Sequence, residues 1–139
     1  MSGRLIVDAG PLVAILSERD RHHAWARSTL TSMTPPLLTC EAALAEAWHL
    51  LRGTASGQLA LLEMLRIEAV VPEFALRTEL AAVHRLAHRY RDRPMSLADA
   101  CLVRMAELHD DAAVMTLDRD FAVYRKHSRQ TIPLLSPFT

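Results

Sequence analysis

Acidic residues recur in this sequence where an apolar run ends. Asp8 directly follows Leu5-Ile6-Val7, Glu41 follows the run 37–40, and Asp118 follows the run 113–117, with Asp120 two residues later. Glu73 comes just after the run 67–71, Asp99 stands in "SLADACLVRMAELH", and Glu46 stands in "TCEAALAEAWHLLRG". Desolvation disfavours a carboxylate at the end of a buried strand unless something pairs with it. Carboxylates gathered in one place also repel one another. A divalent cation removes both difficulties, and Mg2+ and Mn2+ favour oxygen ligands. Such an ion activates water and neutralises charge on a phosphodiester during in-line displacement. Phosphodiester hydrolysis is therefore the chemistry that these residue types suggest.

The positions matter only if the fold brings them together. Short β-prone runs at 5–7, 37–40, 67–71, 113–117 and 132–135 alternate with longer segments of helical periodicity. That alternation predicts an α/β fold: a mostly parallel sheet of four to five strands, covered by helices on both faces. Ligands bind beyond the carboxyl ends of the strands in such sheets, where these acids fall. In "TCEAALAEAWHLLRG" a stripe of Leu44, Ala47, Trp48 and Leu51 predicts a helix, with Thr39 capping its start and Gly53 ending it. In "SLADACLVRMAELH" Ser96 is the predicted N-cap, with Ala100, Val103 and Leu108 among the apolar positions. Pro35-Pro36 and Pro94 mark the adjacent loops.

Each acid also has a purely structural reading. Asp8 can cap a helix that begins near Gly10-Pro11, Asp99 completes a capping box with Ser96, and Asp118 can cap a short helix through "RDFAVYRKH". Glu41 and Glu73 fit the preference for acids in a first helical turn. Spacing leaves Glu46 open between exposed surface and site residue. His84 and His88 are four apart, but spacing supplies no third ligand, so a solvated helix face is expected. Four glycines exclude the phosphate-binding loops GxxxxGK[ST] and GxGxxG. A receiver domain would need a phosphoacceptor Asp after the third strand, where Val71-Pro72-Glu73 stands, and "DAGPL" is not the DxDx[TV] of a dehalogenase-type phosphatase.

With 139 residues, half of them hydrophobic, the chain has enough apolar content for a core. No repeat, low-complexity tract or linker divides it, so residues 1–139 are expected to form one domain. No apolar stretch approaches the ~20 residues of a membrane span, and the N-terminus lacks a signal-peptide pattern. A cytoplasmic protein with no membrane partner is expected. Cys40 and Cys101 lie in apolar segments without ligand spacing and are expected as buried, reduced thiols. The 16 basic and 16 acidic residues cancel. A local basic stripe nevertheless runs through "RTELAAVHRLAHRYRDR", where Arg85, Arg89, Arg91 and Arg93 are candidates for contact with a nucleic-acid backbone. A solvated helix face is the competing reading of that stripe.

Four segments taken in order carry a resemblance: "LIVDAGPLVAILSERDRHHAWA", "LLTCEAALAEAWHLL", "MSLADACLVRMAELH" and "AVMTLDRDF". Together they resemble a PIN domain, and more narrowly the VapC-type toxin ribonucleases of bacterial toxin–antitoxin pairs. The resemblance covers nearly the whole chain. It implies a three-layer α/β/α sandwich with strand order 3-2-1-4-5. It carries catalytic and metal-site roles onto Asp8, Glu46, Asp99 and Asp118, favouring Glu46 over Glu41, with Thr116 and Asp120 as auxiliary residues. It implies an endoribonuclease that uses Mg2+ or Mn2+ and a metal-activated water to cut RNA, leaving 3′-hydroxyl and 5′-phosphate ends. A homodimer and a cognate antitoxin that inserts into the acidic groove are the partners it implies. Ala9 departs from the Ser or Thr common in the family after the first Asp. That departure is the one feature favouring the alternative, a catalytically inactive PIN-like module that binds RNA or protein.

Overall fold

The computed structural model describes residues 3–138. The chain begins with β1 (Leu5–Val7), α1 (Ala9–Leu16), α2 (His23–Thr31), β2 (Leu37–Leu38), α3 (Glu41–Leu50), α4 (Ala55–Arg66) and β3 (Val70–Val71). It continues with α5 (Leu76–Arg89), α6 (Leu97–Leu108), β4 (Ala113–Met115), a 3-10 turn (Arg119–Ala122), β5 (Arg125–Lys126), β6 (Gln130–Thr131) and β7 (Leu134–Leu135). The main sheet has the order β3-β2-β1-β4-β7, and every neighbouring pair in it is parallel. This is the expected 3-2-1-4-5 arrangement with β7 as the fifth strand. An antiparallel hairpin of β5 and β6, not foreseen from the sequence, precedes that strand.

Alternation along β1 explains the three layers. Successive strand side chains point to opposite faces, so Ile6 joins one core cluster while Leu5 and Val7 join another. The Ile6 cluster collects Val83 and Leu86 of α5 with Ala98, Leu102, Met105 and Ala106 of α6. The opposite cluster collects Leu12 and Ile15 of α1, Ala26 of α2, Ala47 of α3 and Leu61 of α4. Ile6 is fully buried at the centre of the sheet, in register with Leu38 on one side and Val114 on the other. Ile6→Ala should therefore cost about 2–5 kcal/mol, read as a lower denaturation midpoint, with no loss if the neighbouring side chains refilled the space.

Local chemistry cuts the strands shorter than their apolar runs. β2 spans only Leu37–Leu38, and just beyond it the Thr39 hydroxyl donates to the Val7 carbonyl of β1 (2.8 Å). Thr39 is thus a buried cross-strand link and not the expected helix cap. Cys40 occupies the N-cap of α3 without a side-chain bond. β3 loses its first residues because Ile67 caps α4 and Glu68 turns the chain at φ 59°. α3 ends at Leu50, before the turn that contains Gly53. Its buried line is Ala43, Ala47 and Leu51, whereas Trp48 is 41% exposed, contrary to the expected stripe. Ser96 caps α6, and the capping box with Asp99 forms in both directions.

Candidate active site

The parallel strands β1 and β4 deliver Asp8 and Asp118 to one edge of the sheet, where α3 and α6 bring Glu46 and Asp99. Asp8 leaves β1 with an extended backbone (φ −82°, ψ 168°), and its N–H donates to the Met115 carbonyl of β4 (3.0 Å). Both of its carboxylate oxygens are engaged. Oδ1 accepts from the Ala9 N–H at 2.7 Å, which starts α1, and Oδ2 accepts from the Thr116 hydroxyl at 2.9 Å. The Thr116 Oγ1 in turn accepts from the Asp118 N–H (2.9 Å). One fully buried hydroxyl therefore ties the first acid to the backbone of another. Asp118 Oδ1 accepts from the Asp120 N–H (2.9 Å), which caps the 3-10 turn.

Asp99 reaches the same edge from the first turn of α6. Its Oδ2 accepts from the Ser96 N–H (3.3 Å) and from the Tyr124 hydroxyl (3.1 Å). Glu46 comes from α3. Asp8, Glu46, Asp99 and Asp118 line one cleft of about 220 Å3, with Gly10, Leu50 and Leu117 completing its wall. α1 passes close to Leu117 at Gly10: a Cβ there would lie 3.3 Å from the Leu117 Cδ1. The capping readings of Asp8, Asp99 and Asp118 are thus all realised, and the same three carboxylates also share the cleft.

The charges in this cleft act on one another. Burial pushes the Asp8 pKa up to about 6; the Thr116 and Ala9 hydrogen bonds pull against that, while Asp99 and Glu46 add to it. Glu46 is raised by partial burial and then by Asp99 and Asp118. Asp99 is raised mainly by burial, which outweighs its bonds to Ser96 and Tyr124, and Asp118 raises it further. Among the described residues no Arg, Lys or His forms an ion pair with any of the four. Asp120, beside them, is paired with Arg93 at 3.7 Å.

Also among the described residues, no three His, Cys, Asp or Glu side chains form a ready-made ion cage. Mutual repulsion between unscreened carboxylates opposes such closure. The donor chemistry itself is all carboxylate oxygen and, among the described residues, without a protein counter-charge, which fits a hard divalent cation such as Mg2+ or Mn2+.

Tyr124 is the site residue that sequence reasoning missed. It is fully buried, packs edge-on against Tyr90 (5.1 Å between ring centroids) and Phe121 (5.2 Å), and aims its hydroxyl at Asp99. The available signal was the apolar spacing of Phe121 and Tyr124 in "RDFAVYRK", which reads equally well as core. Tyr124→Phe removes one buried bond to a carboxylate. It should cost about 1–3 kcal/mol in denaturation, and an unchanged midpoint would show that the Asp99 contact carries no weight.

The basic stripe divides. Arg93 lies beside the acidic cleft through Asp120. Arg91 is exposed and donates to the His88 carbonyl (2.9 Å). Arg85 and Arg89 line a separate cleft of about 230 Å3 with Arg104, Glu107, His127 and Ser128, where Arg89 donates to the Ser128 carbonyl (2.6 Å). His84 and His88 are exposed on α5. Glu73 pairs loosely with Arg4 (3.8 Å), and Glu41 lies outside the acidic cleft. Cys40 and Cys101 are buried free thiols.

Comparison with known proteins gives two findings. The family model described as "PIN domain" matches residues 5–127. Among solved structures the chain is similar to VapC20 of Mycobacterium tuberculosis, described as a sarcin–ricin loop cleaving toxin. The TM-score is 0.73 at 22% identity, over 86% of this chain and 93% of that one. No curated protein matches the sequence.

Proposed function

The chain belongs to the PIN-domain family, whose model spans most of its length, and from that premise we propose that it is a metal-dependent endoribonuclease. The observation that carries this reading is the cleft in which Asp8, Glu46, Asp99 and Asp118 meet, among the described residues, without a protein counter-charge. These four would hold Mg2+ or Mn2+, which when bound acidifies water and neutralises charge on the scissile phosphate of RNA. Thr116 and the Ala9 N–H fix the orientation of Asp8. Ser96 and Tyr124 fix Asp99. Asp120 holds Arg93 at the rim, where its guanidinium can meet the RNA backbone.

The missing hydroxyl at position 9 does not favour an inactive module. The Ala9 backbone already donates to Asp8, and Thr116 supplies a hydroxyl to the other oxygen.

The likeness to VapC20 extends the proposal to the toxin of a toxin–antitoxin pair, with a homodimer and a cognate antitoxin as partners and cytoplasmic RNA as substrate. The uncompensated negative cleft suits an antitoxin segment that presents Arg or Lys. Among the described residues no helix is long and apolar enough to cross a membrane.

The test is cleavage of a mixed pool of structured RNAs by purified, antitoxin-free protein with Mg2+, Mn2+ or EDTA. The expected result is defined cuts that EDTA removes. Neither cleavage nor calorimetric Mn2+ binding would turn the assignment to a binding module.

A further inference from the structure

A second cavity opens beside the acidic cleft and shares two residues with it. It measures about 160 Å3, and Thr116 and Asp118 form the wall common to both. Ala122 and Leu134 add apolar lining, and Arg119, Ser136 and Phe138 complete it. The Arg119 guanidinium stacks on the Phe138 ring, 4.1 Å from its centroid. The His22 ring meets that ring edge-on at 5.9 Å.

Two features of this stack point outward. Arg119 is exposed and makes no hydrogen bond or ion pair among the described residues, so its charge is not neutralised within the fold. Phe138 remains 43% exposed although it is a large apolar ring. A planar cation on an aromatic ring, in one cavity with apolar side chains, is a surface on which a flat heterocycle can stack, and unpaired RNA bases are recognised in this way. Burying the faces of a base against Phe138 and Leu134 is favourable because it removes apolar surface from water.

We propose that this cavity takes one unpaired nucleobase of the RNA substrate, next to the phosphodiester held at the acidic cleft. The inference rests on reading that cleft as a nuclease site. The sharing of Thr116 and Asp118 sets the base and the scissile phosphate side by side, so the cavity gives the enzyme a preference for sequence or loop structure at its cut. Arg119 both stacks on the base and presents positive charge one residue from Asp118, where the phosphate backbone passes.

The test separates this inference from the nuclease reading by using binding without catalysis. Amide NMR signals of the full chain in EDTA are followed during titration with adenosine, guanosine, cytidine, uridine, ribose and N-acetyltyrosine amide. At least one nucleoside should shift Ala122, Leu134 and Phe138 while ribose does not. Arg119→Ala and Phe138→Ala should each weaken that response by about tenfold, the scale of one lost base stack. Both side chains are exposed, so the variants keep the core intact.

An equal response to ribose, or none to any nucleoside, overturns the inference even if metal-dependent cleavage is intact. A response to the tyrosine amide alone overturns it in favour of a protein partner. A nucleoside response in a protein that fails to cut RNA upholds the base site and counts against the nuclease reading alone.

Discussion

Asp99→Asn should lower RNA cleavage by about a hundredfold or more while leaving the fold in place. Losing a metal ligand removes transition-state stabilisation that no other group replaces, and loss even of the groups that orient ligands costs 10–100-fold. The amide keeps an oxygen where Asp99 Oδ2 accepts from Ser96 and Tyr124, and the Ser96 hydroxyl still caps the Asp99 N–H. The change thus removes charge with little change of shape. Glu46→Gln makes the same test at an exposed residue on α3, where the fold should be retained. Cleavage of one RNA by wild type and both variants, beside thermal melts, reads the outcome. Wild-type rates in both folded variants would mean that the acidic cleft is not the catalytic site.

The second large effect is on stability and has an unusual direction. Asp8 is 7% exposed, and its pKa in the folded chain is about 6 against 3.8 when free of the fold. The folded state therefore holds this proton more tightly than the unfolded state. Its stabilising contribution is complete below about pH 4 and is lost as pH rises through about 6. The shift corresponds to about 3 kcal/mol. Asp99 and Glu46 are raised in the same direction and add to the trend.

Urea denaturation in EDTA should accordingly show stability falling between pH 4.5 and 7. Mn2+ should restore it at neutral pH, because an ion that binds only the folded state stabilises it by mass action. Asp8→Asn should flatten the profile and stabilise the metal-free protein at pH 7. A wild-type profile in that variant would place the strain elsewhere.

Much of this site is legible in the sequence because strand ends are local features. An apolar triplet followed by Asp is enough to place Asp8 at the carboxyl edge of a parallel sheet, and the alternation of runs is enough to predict that sheet. Ser96 and Asp99 are three residues apart, so their capping box follows from helix geometry alone. The placement of Glu46 did not follow from spacing. Its face of α3 is apolar in composition, and the helix buries Ala43, Ala47 and Leu51 while leaving Trp48 in solvent. Which face turns inward depends on what α1 and α6 present to it, and no periodicity within α3 carries that information.

Long-range partners could not be read from spacing for the same reason, although the resemblance marked Thr116 as an auxiliary residue. Thr116 bonds to Asp8 across 108 positions, Tyr124 to Asp99 across 25, and Thr39 to Val7 across 32. A hydroxyl has no periodic signature, and in each case the partner is chosen by how strands and helices stack. The basic stripe shows the converse. Its arginines are contiguous in sequence, yet α5 and the loop after it send Arg85 and Arg89 to one cleft and Arg93 to the rim of another. The sequence by itself determined the layered sheet and which acids stand at its edge, because strand periodicity and capping are interactions between near neighbours. Spacing could not choose which of those acids share a cleft, which hydroxyls hold them or which charges stay unpaired; the tertiary structure decided these, because packing sets those distances between residues far apart along the chain.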